Sequence, residues 1–260
     1  MIYDIGIIGC GPVGIFVPFE AGMKKLSCVM FDSLDFIGGQ CTALYPEKFI
    51  YDIPAIPSIT AQDLIENLKA QTSRFNPEIN LSEAVTGYKK EDNLFILQTS
   101  KGREFKVRSI VIASGGGEFG PNRPPLENIK EYEEKSIFYM VKSKEDFRGK
   151  RIAIAGGGDS AVDWAITLSD IAKSIQFIHR RDKFKASPDS IIKLKERAQE
   201  GRIELIHPFQ LESLKGENGQ LTHLTISNLQ GEKRVLEVDV FLPFFGLKTD
   251  NTLAHKFSLE

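Results

Sequence analysis

The chain has 260 residues, of which 42% are hydrophobic and 26% charged, with a net charge of −2. That is enough for one large domain or two of ordinary size. The near-neutral balance gives no reason to expect nucleic acid or a membrane surface as the main partner. No apolar run reaches the roughly 18 residues of a membrane span.

The first element is an apolar run, Ile5 to Ile8, that feeds into Gly9, Gly11 and Gly14 in the spacing G-x-G-x-x-G. A helix is expected from there to Lys25, then a strand, Val29 to Phe31, ending on Asp32. Strand, glycine turn, helix, strand and terminal carboxylate outline a dinucleotide site. In it Gly9 permits the turn, Gly11 admits the pyrophosphate, Gly14 lets helix and strand pack, and Asp32 accepts from a ribose hydroxyl. Pro12 and Val13 fall in the first turn of the helix, at its positive end. The strand begins so near Met1 that no signal or transit peptide is expected.

Residues 33–58 show neither helical nor strand periodicity, and a structureless loop this long predicts a functional one. Thr60 is the expected N-cap of a helix to about Arg74, with Asp63 in the capping-box place. Ala84–Lys89, Leu94–Thr99 and Glu104–Val107 read as a small antiparallel meander inserted before a core strand, Ser109–Ala113. The breakers at 115–125 predict a domain crossover.

A second cycle starts at Arg151, with strand IleAlaIleAla, then Gly156, Gly157, Gly158, Asp159, Ser160 and Ala161. A helix is expected over Ser160–Ala172 and a strand over Ile175–Ile178. Alanine at Ala161 stands in the third glycine place, which the fingerprint allows. Residues 189–200 read as a helix, and 203–207, 221–228 and 234–242 as strands. ProPhePheGlyLeu at 243–247 reads as the return crossover.

The second unit ends in His179, Arg180, Arg181, Asp182, Lys183, Phe184 and Lys185 rather than in a carboxylate. Guanidinium groups at that position accommodate a 2′-phosphate, so the second site is expected to take NADP, with Lys185 beside it. Asp32 excludes a 2′-phosphate, and the natural pairing is FAD in the first unit and NADPH in the second. The fold class is therefore α/β with two Rossmann-like dinucleotide-binding domains: FAD at 1–116, NADP at 117–244. The three cysteines, Cys10, Cys28 and Cys41, form no CxxC and no metal-ligand spacing. They fit a reducing cytoplasm, and no metal is expected.

GGQC, TALYPEK and FIYDIP at 38–54, GGGDSAVDWA at 156–165 and HRRDKF at 179–184 closely resemble the thioredoxin-reductase-like ferredoxin–NADP reductases of bacteria. The resemblance runs from residue 2 to about 250 and implies a pyridine nucleotide-disulfide oxidoreductase-like architecture. It also implies that Gly39 and Gln40 hold the flavin nucleotide, that Tyr45 stacks on the isoalloxazine ring, and that Val85 and Phe119 line that site. A core aromatic is the other reading of Tyr45. Ferredoxin or flavodoxin would be the electron acceptor and the enzyme a homodimer. Family members continue past this end and return to the first domain, so the rest of the FAD domain is expected beyond about 245–260. Residues 126–242 hold no cysteine, and Cys41 has no partner in its loop, so neither dithiol relay of the neighbouring families can run. Two alternatives stay open: an NADPH-dependent flavin or quinone reductase, and an NADP-binding fragment without catalysis. Lys142, Lys144, Arg148, Lys150 and Arg151 form a basic run that could dock an acidic carrier.

Overall fold

The computed structural model describes residues 1–117, 119–249 and 257. The chain divides into two compact units, one holding Met1–Gly120 and the other Pro121–Lys248.

In the first unit β1 (Ile2–Ile8) leads through the glycine turn into α1 (Pro12–Met23) and β2 (Cys28–Phe31). The long loop that follows carries a short helix, α2 (Gln40–Leu44), and a two-stranded ribbon, β3 (Phe49–Ile50) with β4 (Ile59–Thr60). Those pieces are too short for periodicity to reveal. Next comes α3 (Ala61–Ser73), capped as its sequence predicts: the Thr60 hydroxyl accepts from the Asp63 N–H at 3.1 Å. Such a cap contributes about 1 kcal/mol.

Then β5 (Glu78–Asn80), β6 (Val85–Glu91), β7 (Leu94–Thr99) and β8 (Glu104–Ile112) complete a six-stranded sheet in the order β5-β2-β1-β8-β7-β6. The meander and the core strand are not separate. β8 is one strand, antiparallel to β7 over Glu104–Val107 and parallel to β1 over Lys106–Ile112. One face of this sheet buries Tyr3, Ile8, Val29, Phe31, Val85, Leu97 and Val107, and the Phe257 ring stacks on Tyr88 at 4.6 Å there.

The chain leaves by β9 (Phe119–Pro121), followed by the short α4 (Ile129–Tyr132). The second unit repeats the first unit's plan with β10 (Arg151–Ala155), α5 (Asp159–Leu168), β11 (Ser174–Ile178), α6 (Pro188–Gln199) and β12 (Ile203–Ile206). A separate antiparallel sheet follows, β13 (Gln210–Glu217), β14 (Gln220–Ser227) and β15 (Lys233–Glu237), before β16 (Val240–Pro243) returns beside β10. The parallel sheet runs β12-β11-β10-β16. β17 (Leu247–Thr249) pairs with β9.

Two further expectations need correction here. α5 ends at Leu168, not Ala172. The single strand expected over 234–242 is two strands in two sheets, with the break at Val238–Asp239 fixed from outside. The Asp239 carboxylate accepts from the Arg151 N–H at 2.8 Å and from its guanidinium at 2.6 Å, while the Val238 N–H donates to the Thr222 carbonyl at 3.0 Å. β13 escaped the sequence reading because irregularities at Leu211/Ser213 and Lys215/Gly216 break its alternation, leaving Leu211 and Leu214 three residues apart.

Candidate functional site

In both units the parallel strands end together at their carboxyl edge, the place where ligands bind in open α/β sheets. In the first unit Gly9 sits there with φ of +108°, and its N–H donates to the Phe31 carbonyl at 2.8 Å. A Cβ on Gly14 would lie 1.9 Å from the Gly9 carbonyl oxygen, so this glycine is fixed by backbone contact between helix and turn. A Cβ on Gly11 would meet nothing within 4 Å. The space beside Gly11 is what a pyrophosphate approaching the backbone needs. No side chain caps α1 and no acidic residue stands in its first turn. Pro12 occupies N1, where a missing N–H costs nothing, and the Val13 side chain is 70% exposed.

Asp32 stands at the end of β2 as predicted, with its carboxylate partly engaged. Oδ2 accepts from the Cys10 N–H at 2.7 Å and Oδ1 from the Leu34 N–H at 3.0 Å. Each oxygen keeps a lone pair for a ribose hydroxyl.

The long loop closes over this turn. The Gly38 N–H donates to the Cys10 carbonyl at 2.8 Å, and a Cβ on Gly39 would lie 3.1 Å from the Gly11 Cα. Gln40 opens α2 and Tyr45 caps its C-terminus. The Tyr45 ring is half-buried against Ile15, Cys41, Ala61 and Ile65, so a flavin could meet only its remaining face. Burial, with the Cys41 thiol as a lesser cause, pushes the Tyr45 phenol up to about 12. It therefore stays neutral near pH 7. The Val85 side chain is buried in the sheet core, which leaves its backbone as the part able to line a site. Phe119 opens β9, and its side chain lies outside the described residues.

The second unit shows an open cavity of about 580 Å³. It is lined by Gly156, Gly157 and Gly158, by His179, Arg180, Arg181, Lys183 and Lys185, and by the ends of the neighbouring strands. A Cβ on Gly158 would meet nothing within 4 Å, repeating the open space at Gly11, and no side chain caps α5. Ala161 is buried and faces Gly156, so the third fingerprint position packs helix on strand rather than touching a ligand. Ser160 is exposed in the first turn. Asp159 holds the next loop: its Oδ1 accepts from the Ser187 N–H at 2.8 Å.

His179 lies directly over Gly157, where a Cβ would come within 2.2 Å of the imidazole. Burial holds the His179 pKa below the usual histidine range. The Lys185 N–H donates to the Gly157 carbonyl at 2.7 Å, folding the basic loop back onto the glycine turn. Arg180, Arg181, Lys183 and Lys185 are all exposed. Among the described residues no carboxylate pairs with them: Asp182, in their midst, bonds the His207 Nδ1 at 3.3 Å instead.

Sequence reasoning missed Pro125, Phe209, Gln210, Leu211, Phe244 and Phe245, which line the same cavity. The signal for two of them was the breaker at 243–247, read only as a crossover. The Phe244 N–H donates to the Ala155 carbonyl at 2.8 Å and so places that segment beside the glycine turn.

Both arginines of the basic run at 142–151 are held in ion pairs. Arg148 pairs with Glu145 at 2.7 Å, and Arg151 with Asp239 and Glu237 at 2.6 Å. Cys10, Cys28 and Cys41 are free and buried. Burial pushes the first two thiols up to about 12 and about 11 and raises the third as well. Thiolate chemistry is thereby suppressed at all three. Among the described residues no group of three or more His, Cys, Asp or Glu could hold a metal ion, and no helix is long and apolar enough to cross a membrane.

Residues 3–260 match the family model described as pyridine nucleotide-disulphide oxidoreductase. A Rickettsia bellii protein named ferredoxin–NADP reductase is 51% identical over 247 residues, covering 95% of this chain and 74% of that protein. A protein of the same name from Rickettsia prowazekii is also 51% identical, again over 95% of this chain and 74% of its own length. Among solved structures, the thioredoxin reductase of Lactococcus lactis (FR conformation) superposes with a TM-score of 0.81 at 24% identity, covering 97% of this chain and 80% of that one. That likeness is one of fold.

Proposed function

This chain belongs to the pyridine nucleotide-disulphide oxidoreductase family, and from that premise we propose that it acts as a ferredoxin–NADP reductase, with FAD in the first unit and NADP in the second. The observation that carries the reading is the set of four exposed cations around the second glycine turn, with which no carboxylate pairs among the described residues. A cavity lip of that charge suits a nucleotide bearing an extra phosphate, and bidentate guanidinium groups bind phosphate well. The first unit offers the opposite, a carboxylate at the equivalent strand end.

Residues of both sites fit the groups they would hold. Gly11 and Gly158 leave open space at uncapped helix ends, where backbone N–H groups receive a pyrophosphate. Asp32 orients an adenosine ribose through its free lone pairs. Tyr45 presents a neutral aromatic face suited to a flat π-system. Arg180 and Arg181, with Lys185 beside them, fix the 2′-phosphate. When bound, a flavin supplies the exchange between a two-electron nicotinamide donor and a one-electron acceptor, which no side chain here can do. The buried, unpaired thiols leave electrons no dithiol exit, which favours a small carrier, ferredoxin or flavodoxin, as acceptor. The proposal includes a cytoplasmic homodimer, checked by cell fractionation and by light-scattering mass.

Absorbance-followed reduction of ferredoxin by NADPH with flavin-loaded protein tests the function. Turnover with ferredoxin or flavodoxin well above that with quinone or free flavin is expected. Turnover confined to quinone or free flavin would reassign the enzyme, and none with any acceptor would leave a nucleotide-binding protein.

A further inference from the structure

Glu83 is the one acidic or basic side chain fully buried among the described residues. It lies in neither glycine turn. Its carboxylate accepts from the Thr99 hydroxyl at 2.6 Å and the Arg103 Nε at 2.9 Å, and it also bonds the Arg103 Nη2, with the Lys101 ammonium 3.8 Å away. A buried charge is tolerated only when it is satisfied this fully.

What this clamp holds is the segment wrapped around Asp32. The Glu83 N–H donates to the Asp32 carbonyl at 2.8 Å, and the Asp32 N–H donates to the Asn80 carbonyl at 3.0 Å. The same Arg103 that grips Glu83 donates to the Asn80 Oδ1 at 2.7 Å. Lys101 donates to the Leu81 carbonyl at 3.2 Å, and the Ser82 N–H to the Leu34 carbonyl at 2.7 Å. Asp32 is thus fixed on both sides of its peptide by residues 80–83, and those residues are fixed by one buried carboxylate and two cations from the β7–β8 turn.

We propose that Glu83 is a positioning residue for nucleotide recognition in the first unit: through residues 80–83 it sets the backbone of Asp32, and so the direction in which the Asp32 carboxylate meets a ribose. The inference rests on the flavin reading of that unit. Glu83 touches no ligand itself; it acts only through Asp32.

Equilibrium titration of the apoprotein with FAD, read by quenching of flavin fluorescence, tests this in a double-variant cycle. Glu83→Gln keeps the shape and removes the charge, and is expected to raise the Kd for FAD on the order of tenfold, the scale of coupling within one hydrogen-bond network. In an Asp32→Asn background the same change should leave the Kd within twofold. An equal loss in both backgrounds, or no loss in the first, overturns the proposal and makes Glu83 purely structural. Thr99→Val, which removes one bond to the carboxylate, provides the same cycle in milder form should Glu83→Gln not fold. An Asp32→Asn variant that binds FAD like the parent removes the flavin reading itself, a failure distinct from additivity.

Discussion

The two units share one strand plan and differ in what they leave unpaired. Each places its first strand between its second and its last, in the orders β5-β2-β1-β8 and β12-β11-β10-β16, all parallel. Each carries open space at the middle fingerprint glycine. In the first unit the proposed recognition group is a carboxylate already held by two backbone N–H groups; in the second it is a cluster of cations with which no carboxylate pairs among the described residues. On the proposed function, the contrast is how one scaffold would select two ligands. The turn and the helix end would supply generic pyrophosphate binding, and the residues after the second strand would decide between ribose hydroxyl and 2′-phosphate.

The sharpest way to break the comparison is to treat its glycines as equivalent. Gly14→Ala drives a Cβ into the Gly9 carbonyl and should destabilise the apoprotein by about 3 kcal/mol, at the upper end of overpacking costs, as read by urea unfolding. Removing the cations with Arg180→Ala and Arg181→Ala should weaken NADPH binding roughly a hundredfold, because each guanidinium takes with it a charge-assisted hydrogen bond of about 1.5 kcal/mol. NADH should change little, so a matched loss for both nucleotides would place the 2′-phosphate elsewhere. Gly11→Ala and Gly158→Ala sharpen the parallel. Each should leave the apoprotein melting temperature within a degree or so, since a Cβ there has room, while weakening FAD or NADP about tenfold. A fall in melting temperature would show that the open space serves packing after all.

The smallest effect concerns a pair of positions with reversed charge. Asp4 pairs with Arg108 on the last strand of its sheet, and Arg151, as far before its glycine turn as Asp4 is before Gly9, pairs with Asp239 just ahead of the last strand of the other. Bonds from Arg151 hold the Asp239 carboxyl below its ordinary range. A depressed folded-state value means the ionised form stabilises the fold above the unfolded pKa of about 3.9 and that this contribution fades as pH falls through the folded value. Asp239→Asn should therefore lower stability at pH 7, and the gap from the parent should close below about pH 4. The more exposed Asp4 pair should show the same sign with a smaller amplitude.

Much of this was legible in the chain. The glycine fingerprints, the capped helix at Thr60 and the sign change from Asp32 to Arg180 depend on local chemistry, and local chemistry is what a sequence displays. The misreadings came where a distant residue decides. At equivalent places in the two units the reading erred in opposite directions, splitting β8 where the chain runs on and joining β15 to β16 where it breaks. Arg108 and Ser109 look like an interruption, yet β8 passes through them because Asp4 takes both: its carboxylate pairs with Arg108 at 3.2 Å, and its carbonyl accepts from the Ser109 hydroxyl at 2.8 Å. Val238 and Asp239 look continuous, yet Thr222 and Arg151 fold them apart. The aromatic wall of the second unit's cavity was hidden for a similar reason, since Phe209 and Phe244 reach it only once their strands have assembled.

The continuity of β8 has a consequence for how the protein can be altered. Its first half is hydrogen-bonded to the meander and its second half to β1, so a single residue added or removed anywhere along it would invert one pleat pattern or the other. The second unit's β13-β14-β15 sheet shares no strand with its parallel core and meets it through side chains, Leu221, Leu224, Ile226 and Leu236 packing with Ala153, Ala155, Ile178 and Phe241. A shift of register within that sheet leaves the hydrogen bonds of the parallel core intact, whereas its counterpart in the first unit is spliced into the framework that carries the glycine turn.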